Sequence, residues 1–317
     1  MRYKVTVVGA GNVGATTAQR IAEADLADVV MVDVADELAT GKALDMMEAA
    51  PILGFSAHVQ GGGDYAATAG SQVCVVTAGL ARKPGMSRDD LRNKNTEIVH
   101  GVVTRLVEHS PDTILIIVTN PLDAMCEVAR RASGFSRQRV LGMAGVLDAA
   151  RMRWFIAAEL GVSVQDVDAF VLGGHGDTMV PLPRYATVNG IPLPQLLAAD
   201  RIEAINQRTR NGGAEIVNYY KTGSAYYAPA AASFEMVAAI LLDKKKILPC
   251  AVRLEGEYGV NGLFVGVPVK LGRGGVEQVV ELDLTGEEKA LFEKSVAAVR
   301  GLVAELPPGH ALPAGPG

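Results

Sequence analysis

The stretch KVTVVGAGNVGATTAQRIAEADL at residues 4–26, followed by VVMVDV at 29–34, decides the fold. Val5, Val7 and Val8 make a short β-branched run of the kind that forms a buried strand, and a glycine ends it. The segment from Val13 onward has helical character, and 29–34 reads as a second buried strand. Between strand and helix the glycines fall as GxGxxG at Gly9, Gly11 and Gly14. Asp33 closes the second strand about 20 residues further on, the distance expected of an acid that meets a ribose. Gly9 permits the tight turn, Gly11 lets the backbone approach a pyrophosphate, and Gly14 lets helix and strand pack closely. The helix N-terminus then turns unpaired N–H groups toward the phosphates. Asp33 can accept from both adenosine ribose hydroxyls, and its charge would repel a 2′-phosphate, so NAD is expected over NADP. A structural glycine turn beside a surface aspartate is the competing reading. It leaves the register of strand, glycines, helix and acid unexplained.

Outward from this unit the pattern repeats. Strand-like segments at 57–61, 73–79, 113–121 and 139–145 alternate with helical ones at 36–49, 89–108 and 122–132. Short apolar strands separated by helices predict a parallel, doubly wound α/β sheet of Rossmann type, covered on both faces. The second half reads differently. A helix near 147–160 leads into strands at 166–174, 263–272 and 276–284, with helices near 199–220 and 224–242. Thr285 and Glu288 have capping-box spacing, and Leu291, Val296, Val299, Leu302 and Val303 are expected on one face of a final helix. We expect a dinucleotide-binding domain over 1–145, an α+β substrate domain with antiparallel strands over 146–306, and a mobile Pro/Gly-rich tail over 307–317.

Composition narrows the function. Of 317 residues, 49% are hydrophobic and 21% charged, with a net charge of −5. That is an ordinary globular balance, with no basic block for nucleic acid or an anionic membrane. The three lysines at 244–246 read as a solvated edge. The longest apolar stretch near the middle, ILIIV at 114–118, is far short of a membrane span, and no signal-peptide pattern precedes the first strand. Cys74, Cys126 and Cys250 are far apart, which predicts reduced thiols in the cytoplasm and no metal site.

Four segments carry candidate chemistry. TAGLARKPGMSRDDLRNKN at 77–95 follows the fourth strand, where loops of a doubly wound sheet face the ligand. Its Arg82, Lys83, Arg88 and Arg92 suit anion capture, although a run of charges is more often a solvated loop. In GVLDAARMRW at 145–154, Asp148 and Arg151 share a helix face, as site residues or as a surface ion pair. Asn120 ends the fifth strand in VTNP, either at the ligand rim or in a plain Asn-Pro turn. His175 lies among glycines in VLGGHGDTMVPL, 171–182. A dinucleotide site, a histidine, an acid and several arginines form the set that hydride transfer to a carbonyl requires, because the cofactor supplies the hydride and the protein must supply proton, orientation and charge. His58, His100, His109 and His310 have no motif around them, and Met152 and Trp154 read as packing residues.

Over roughly residues 3–305, GAGNVG, VDV, TAGLARKPGMSRDDL, VTNPLD, LDAARMR and GGHGDTMVPL occur in the order of the lactate/malate dehydrogenase family. The sequence resembles most the NAD-dependent malate dehydrogenases of the lactate-dehydrogenase-like branch. The resemblance implies reversible hydride transfer between (S)-malate and oxaloacetate. It implies His175 as proton relay, Asp148 as its partner, Arg151 as clamp on the C1 carboxylate, and Arg88 as the group that polarises the carbonyl once the loop closes. It places Asn120 near the carbonyl and the nicotinamide ribose, and Ser224 at the pocket wall. It adds Asn12, Val13, Thr77, Ala78, Gly79, Asn95, Val118 and Asn120 to Gly9, Gly11, Gly14 and Asp33 as cofactor contacts. It implies a homodimer or homotetramer, with helices such as 224–242 offering apolar faces to another copy. Lactate-specific relatives typically carry glutamine where this chain has Arg82, whose guanidinium suits a second carboxylate.

The nearest rival is a lactate dehydrogenase or another 2-hydroxyacid dehydrogenase of the same fold, separable by rates on oxaloacetate and pyruvate. An NAD-dependent glycosidase would use a metal held by Cys and His, and a chelator would stop it. A non-catalytic NADH sensor has no need of His175, Asp148 and three arginines together.

Overall fold

The opening strand–glycine–helix unit forms as its pattern predicts. In the computed structural model, which describes residues 2–80 and 88–307 with the side chain of Arg88 excepted, β1 (Lys4–Val8) runs through the glycine turn into α1 (Asn12–Glu23). Gly9 has φ +104°, a conformation that suits glycine. A Cβ built on Gly14 would lie 1.8 Å from the carbonyl oxygen of Gly9, so only a bare Cα lets helix and strand approach here.

There follow β2 (Asp28–Val32), α2 (Asp36–Leu53), β3 (Val59–Gly62), β4 (Val73–Val76), α3 (Arg88–His109), β5 (Ile114–Ile117), α4 (Leu122–Ser133), β6 (Val140–Gly142) and α5 (Gly145–Leu160). The first six strands are parallel, in the order β3-β2-β1-β4-β5-β6. Successive residues of β4 and β5 pack into opposite layers: Val73, Val75, Ile114 and Ile116 on one side, Cys74, Val76, Leu115 and Ile117 on the other. Both faces are buried, which is why these strands are continuously apolar rather than alternating.

The second half begins with short strands β7 (Val167–Asp168), β8 (Val171–Leu172), β9 (Val180–Pro181), β10 (Thr187–Val188) and β11 (Ile191–Pro192). Helices α6 (Ala199–Tyr220) and α7 (Tyr227–Leu241) follow, then β12 (Lys246–Glu255), β13 (Asn261–Gly272), β14 (Gly275–Val279) and α8 (Gly286–Ala304). β12, β13 and β14, antiparallel to one another, do not form a sheet of their own. Ala251 of β12 pairs with Gly142 of β6, so they extend the parallel sheet to nine strands.

Several sequence expectations need correction. The strand expected over 166–174 is broken into β7 and β8, which pair in different sheets, and the one expected over 276–284 ends at Val279. The capping box at Thr285 and Glu288 is present, but Leu291 is exposed. Val296 and Val299 are buried as expected and Leu302 and Val303 are half-buried, while Phe292 and Ser295 complete the buried stripe in place of Leu291. Trp154 is exposed as well, since α5 turns Met152, Phe155 and Ile156 inward. Lys245 and Lys246 are exposed but ion-paired, with Asp243 and Glu277 and with Glu235 respectively.

Candidate active site

The carboxyl ends of the parallel strands gather the motifs at one edge of the sheet. Gly9 follows β1, Asp33 follows β2, Thr77 to Gly79 follow β4, and Val118 to Asn120 follow β5. The chain reverses direction across the sheet between β1 and β4, and ligands of open α/β sheets bind in the crevice at such a switch point.

The geometry at β1 fits a dinucleotide. α1 begins without a side-chain cap, so the amides of Asn12, Val13 and Gly14 are left for an anion. A Cβ built on Gly11 would meet no atom within 4 Å, which is the open approach a pyrophosphate needs. The Asp33 carboxylate accepts from the backbone N–H of Ala10 at 2.6 Å and of Ala35 at 2.9 Å. These bonds fix its orientation and leave lone pairs for ribose hydroxyls. On α2, Lys42 donates to the Ala10 carbonyl at 2.7 Å and anchors the other side of the turn.

The second strand-end group is held by side chain–backbone bonds. Thr77 Oγ1 donates to the carbonyls of Val8 and Gly9, at 3.0 and 3.2 Å, joining β4 to the glycine turn. Asn95 of α3 is buried. Its amide donates to the carbonyls of Leu80 and Asn120, at 3.2 and 2.7 Å, and its Oδ1 accepts from Leu80 N–H at 2.8 Å. Its hydrogen bonds thus go to the walls of the crevice, and its side chain positions Leu80 and Asn120.

Arg82 and Lys83 lie outside the described residues, and so does the side chain of Arg88 at the start of α3. Arg92 corrects the expectation that the whole loop captures anions. It sits one turn into α3, is buried, and is paired with Asp89 at 3.0 Å and with Glu305 at the end of α8. Ser224 is exposed on the connection between α6 and α7.

His175, Asp148 and Arg151 do come together. Asp148 lies in the first turn of α5, immediately after β6, and is 2% exposed. Its Oδ2 is 2.8 Å from Nδ1 of His175, and its Oδ1 accepts from Arg151 Nη1 at 3.3 Å. A carboxylate can only accept here, so Nδ1 carries the proton and Nε2 is left for a ligand. Burial disfavours a charged imidazole at His175, yet the Asp148 carboxylate, its hydrogen bond and the nearby Asp123 outweigh it and raise the histidine above its ordinary value. On α6, Gly212 makes room for Arg151: a Cβ there would lie 2.9 Å from Arg151 Cδ.

Two further groups escaped the sequence analysis. Ser295 of α8 accepts from Gly174 N–H at 2.9 Å and lies 3.2 Å from Thr178 Oγ1, tying the histidine loop to the final helix. Nothing in the sequence marks it. Asp123, in the first turn of α4, accepts from the backbone N–H of His175 at 2.9 Å. As the acid of VTNPLD it reads as an ordinary first-turn acid, and its burial is visible only in the fold. Burial raises its carboxyl to about 6, against the opposing influence of His175. A carboxyl raised in the folded state contributes less stability as pH climbs from the unfolded value near 4 through about 6. Asp123→Asn should therefore stabilise the protein more at pH 7.5 than at pH 5, by about 1 kcal/mol in urea unfolding. An equal effect at the two pH values would count against a buried charge.

Cys74, Cys126 and Cys250 are buried free thiols, with Cys74 pushed up to about 12 by burial. Among the described residues no group of three or more His, Cys, Asp or Glu could hold a metal, and no helix is long and apolar enough to cross a membrane.

Comparison with known proteins agrees with this geometry. Residues 3–142 match the lactate/malate dehydrogenase NAD-binding domain, and residues 145–306 match the lactate/malate dehydrogenase alpha/beta C-terminal domain. A malate dehydrogenase of Thermomicrobium roseum is 58% identical, over 96% of this chain and 98% of its own. The solved malate dehydrogenase of Salinibacter ruber superposes with a TM-score of 0.92 at 57% identity, covering 95% of this chain and 97% of its own. A lactate dehydrogenase of Cryptosporidium parvum reaches a TM-score of 0.93 at 39% identity, over 96% and 98%. The backbone therefore does not separate the two activities. With both halves matched and relatives this close over nearly their whole length, the chain belongs to the lactate/malate dehydrogenase family.

Proposed function

We propose that the chain is a malate dehydrogenase, interconverting (S)-malate and oxaloacetate with NAD. The observation that carries this reading is the 2.8 Å contact from Asp148 to Nδ1 of His175, with Arg151 on the same carboxylate. NAD held at the glycine turn and Asp33 would supply the hydride acceptor for malate and, in reduced form, the hydride donor for oxaloacetate. His175 Nε2 gives a proton to the carbonyl oxygen in one direction and takes the hydroxyl proton in the other. Asp148 holds the ring in one tautomer and favours its charged form. Arg151 clamps the C1 carboxylate through its planar fork. Arg88 stabilises the oxyanion. Asn120 hydrogen-bonds near the carbonyl, and Ser224 lines the pocket. Arg82 pairs with the far carboxylate and so selects the four-carbon diacid.

Residues 1–145 bind the dinucleotide and 146–306 complete the substrate side. The malate assignment is supported by relatives named malate dehydrogenase at 54–59% identity and by Arg82 in the sequence. Most of α7 is buried within this chain, whereas Leu44, Ile52 and Leu53 of α2 are exposed, which supports a homodimer or homotetramer. The buried thiols support a cytoplasmic setting. The test is NADH oxidation over a panel of 2-oxo acids. Oxaloacetate should exceed pyruvate in kcat/KM by about 10²-fold or more, and faster turnover of pyruvate would overturn the assignment.

A further inference from the structure

Asp123 stands apart from the roles assigned above. It lies on α4, three residues beyond Asn120, and is 3% exposed. Oδ2 accepts the His175 backbone N–H at 2.9 Å, while Oδ1 is buried with no hydrogen-bond partner. A Cβ on Gly174 would lie 3.3 Å from Oδ2, so the chain preceding the histidine is pressed against this carboxylate. A carboxylate with one unpartnered oxygen in the interior is costly. An asparagine would accept the same backbone N–H without burying a charge. The charge itself therefore calls for a role.

Resting on the malate dehydrogenase reading, we propose that Asp123 is a positioning residue for the proton relay, fixing the His175 backbone and placing a second negative charge beside the imidazole that Asp148 already holds. The surrounding charges allow this. Asp148 and Arg151 reach the histidine from α5, and Ser295 approaches from α8 as a neutral hydroxyl. On α4 itself, Glu127 is engaged by Arg130 and Arg131, and Cys126 is held as a thiol by burial. Arg151 opposes protonation of His175, so one carboxylate must offset that cation as well as favour the imidazolium. Two carboxylates around one imidazole and one guanidinium leave the protonated site neutral overall, which suits a group that must hold a proton at working pH.

The experiment uses Asp123→Asn, which keeps the acceptor and removes the charge, with Asp123→Ser as a smaller neutral variant. The pH dependence of kcat/KM for oxaloacetate should keep its form while its inflection moves to lower pH by about one unit. The inflection for malate oxidation should move the same way, since both report protonation of one group. In the protein without cofactor, the His175 ring resonance should titrate about one unit lower by NMR, with the peak identified by its loss in His175→Asn. A lowered plateau with unmoved inflections and an unmoved ring titration would overturn the proposal and leave Asp123 a structural acceptor. Failure of the malate dehydrogenase reading would differ: the unaltered enzyme would not turn over oxaloacetate, whatever the ring titration gave.

Discussion

Replacing His175 by asparagine is expected to lower kcat for oxaloacetate reduction by roughly 10²–10⁴ while NADH binding is retained. The reason lies in the two ring nitrogens. Nδ1 is engaged by Asp148 at 2.8 Å, so in the proposed mechanism Nε2 is the nitrogen left to exchange a proton with substrate. Asparagine fills similar space and can still hydrogen-bond, but its amide does not titrate near neutral pH. The glycine turn and Asp33, proposed to hold the dinucleotide, are separate from His175, so affinity for NADH by fluorescence titration should change little. Malate oxidation should fall as well. The raised histidine adds a pH signature: reduction of oxaloacetate, which needs the charged ring, should decline as pH rises through a value above the ordinary histidine value, and malate oxidation should grow across the same range. Turnover retained within tenfold would remove His175 as the proton relay, and a non-catalytic NADH sensor would then become the better account.

The second large effect is expected at Arg82, which lies outside the described residues. Arg82→Gln should lower the preference for oxaloacetate over pyruvate by about 10²–10⁴, measured as the ratio of their kcat/KM values. Oxaloacetate carries a second carboxylate that a guanidinium can pair with, whereas pyruvate has a methyl group there. Bound pyruvate would leave the cation without that partner, and a charge left unpaired in a buried setting costs about 3–5 kcal/mol. Glutamine removes that penalty along with the attraction, so pyruvate should gain while oxaloacetate loses. An unchanged ratio would mean that discrimination lies elsewhere in the pocket.

How far the residue order alone carries the reading can be judged from particular positions. The parallel core was legible because buried strands and amphipathic helices have different periods and because Gly9, Gly11 and Gly14 answer to local backbone constraints. Asp33 was legible for the same reason, since it closes the strand next to that turn. Pairings across long separations were not. His175 and Asp148 are 27 positions apart, and only the resemblance to a known family joined them before the fold did. Arg92 looked like part of a basic loop, but its partner Glu305 is 213 positions away. The strands at 263–272 and 276–284 read as part of a separate antiparallel domain, yet β12 pairs with β13 and its Ala251 meets Gly142 of β6, which makes one sheet.

Local chemistry thus sufficed for the α/β architecture, the dinucleotide turn and the residue types available for hydride transfer, because each depends on neighbours in the chain. Burial and long-range contact settled the rest. Asp123 is an unremarkable acid until α4 packs beneath the histidine loop, and Ser295 is an ordinary helix residue until α8 meets Gly174. The charge state of a buried group depends on the dielectric and the charges around it, and those exist only once distant segments have come together.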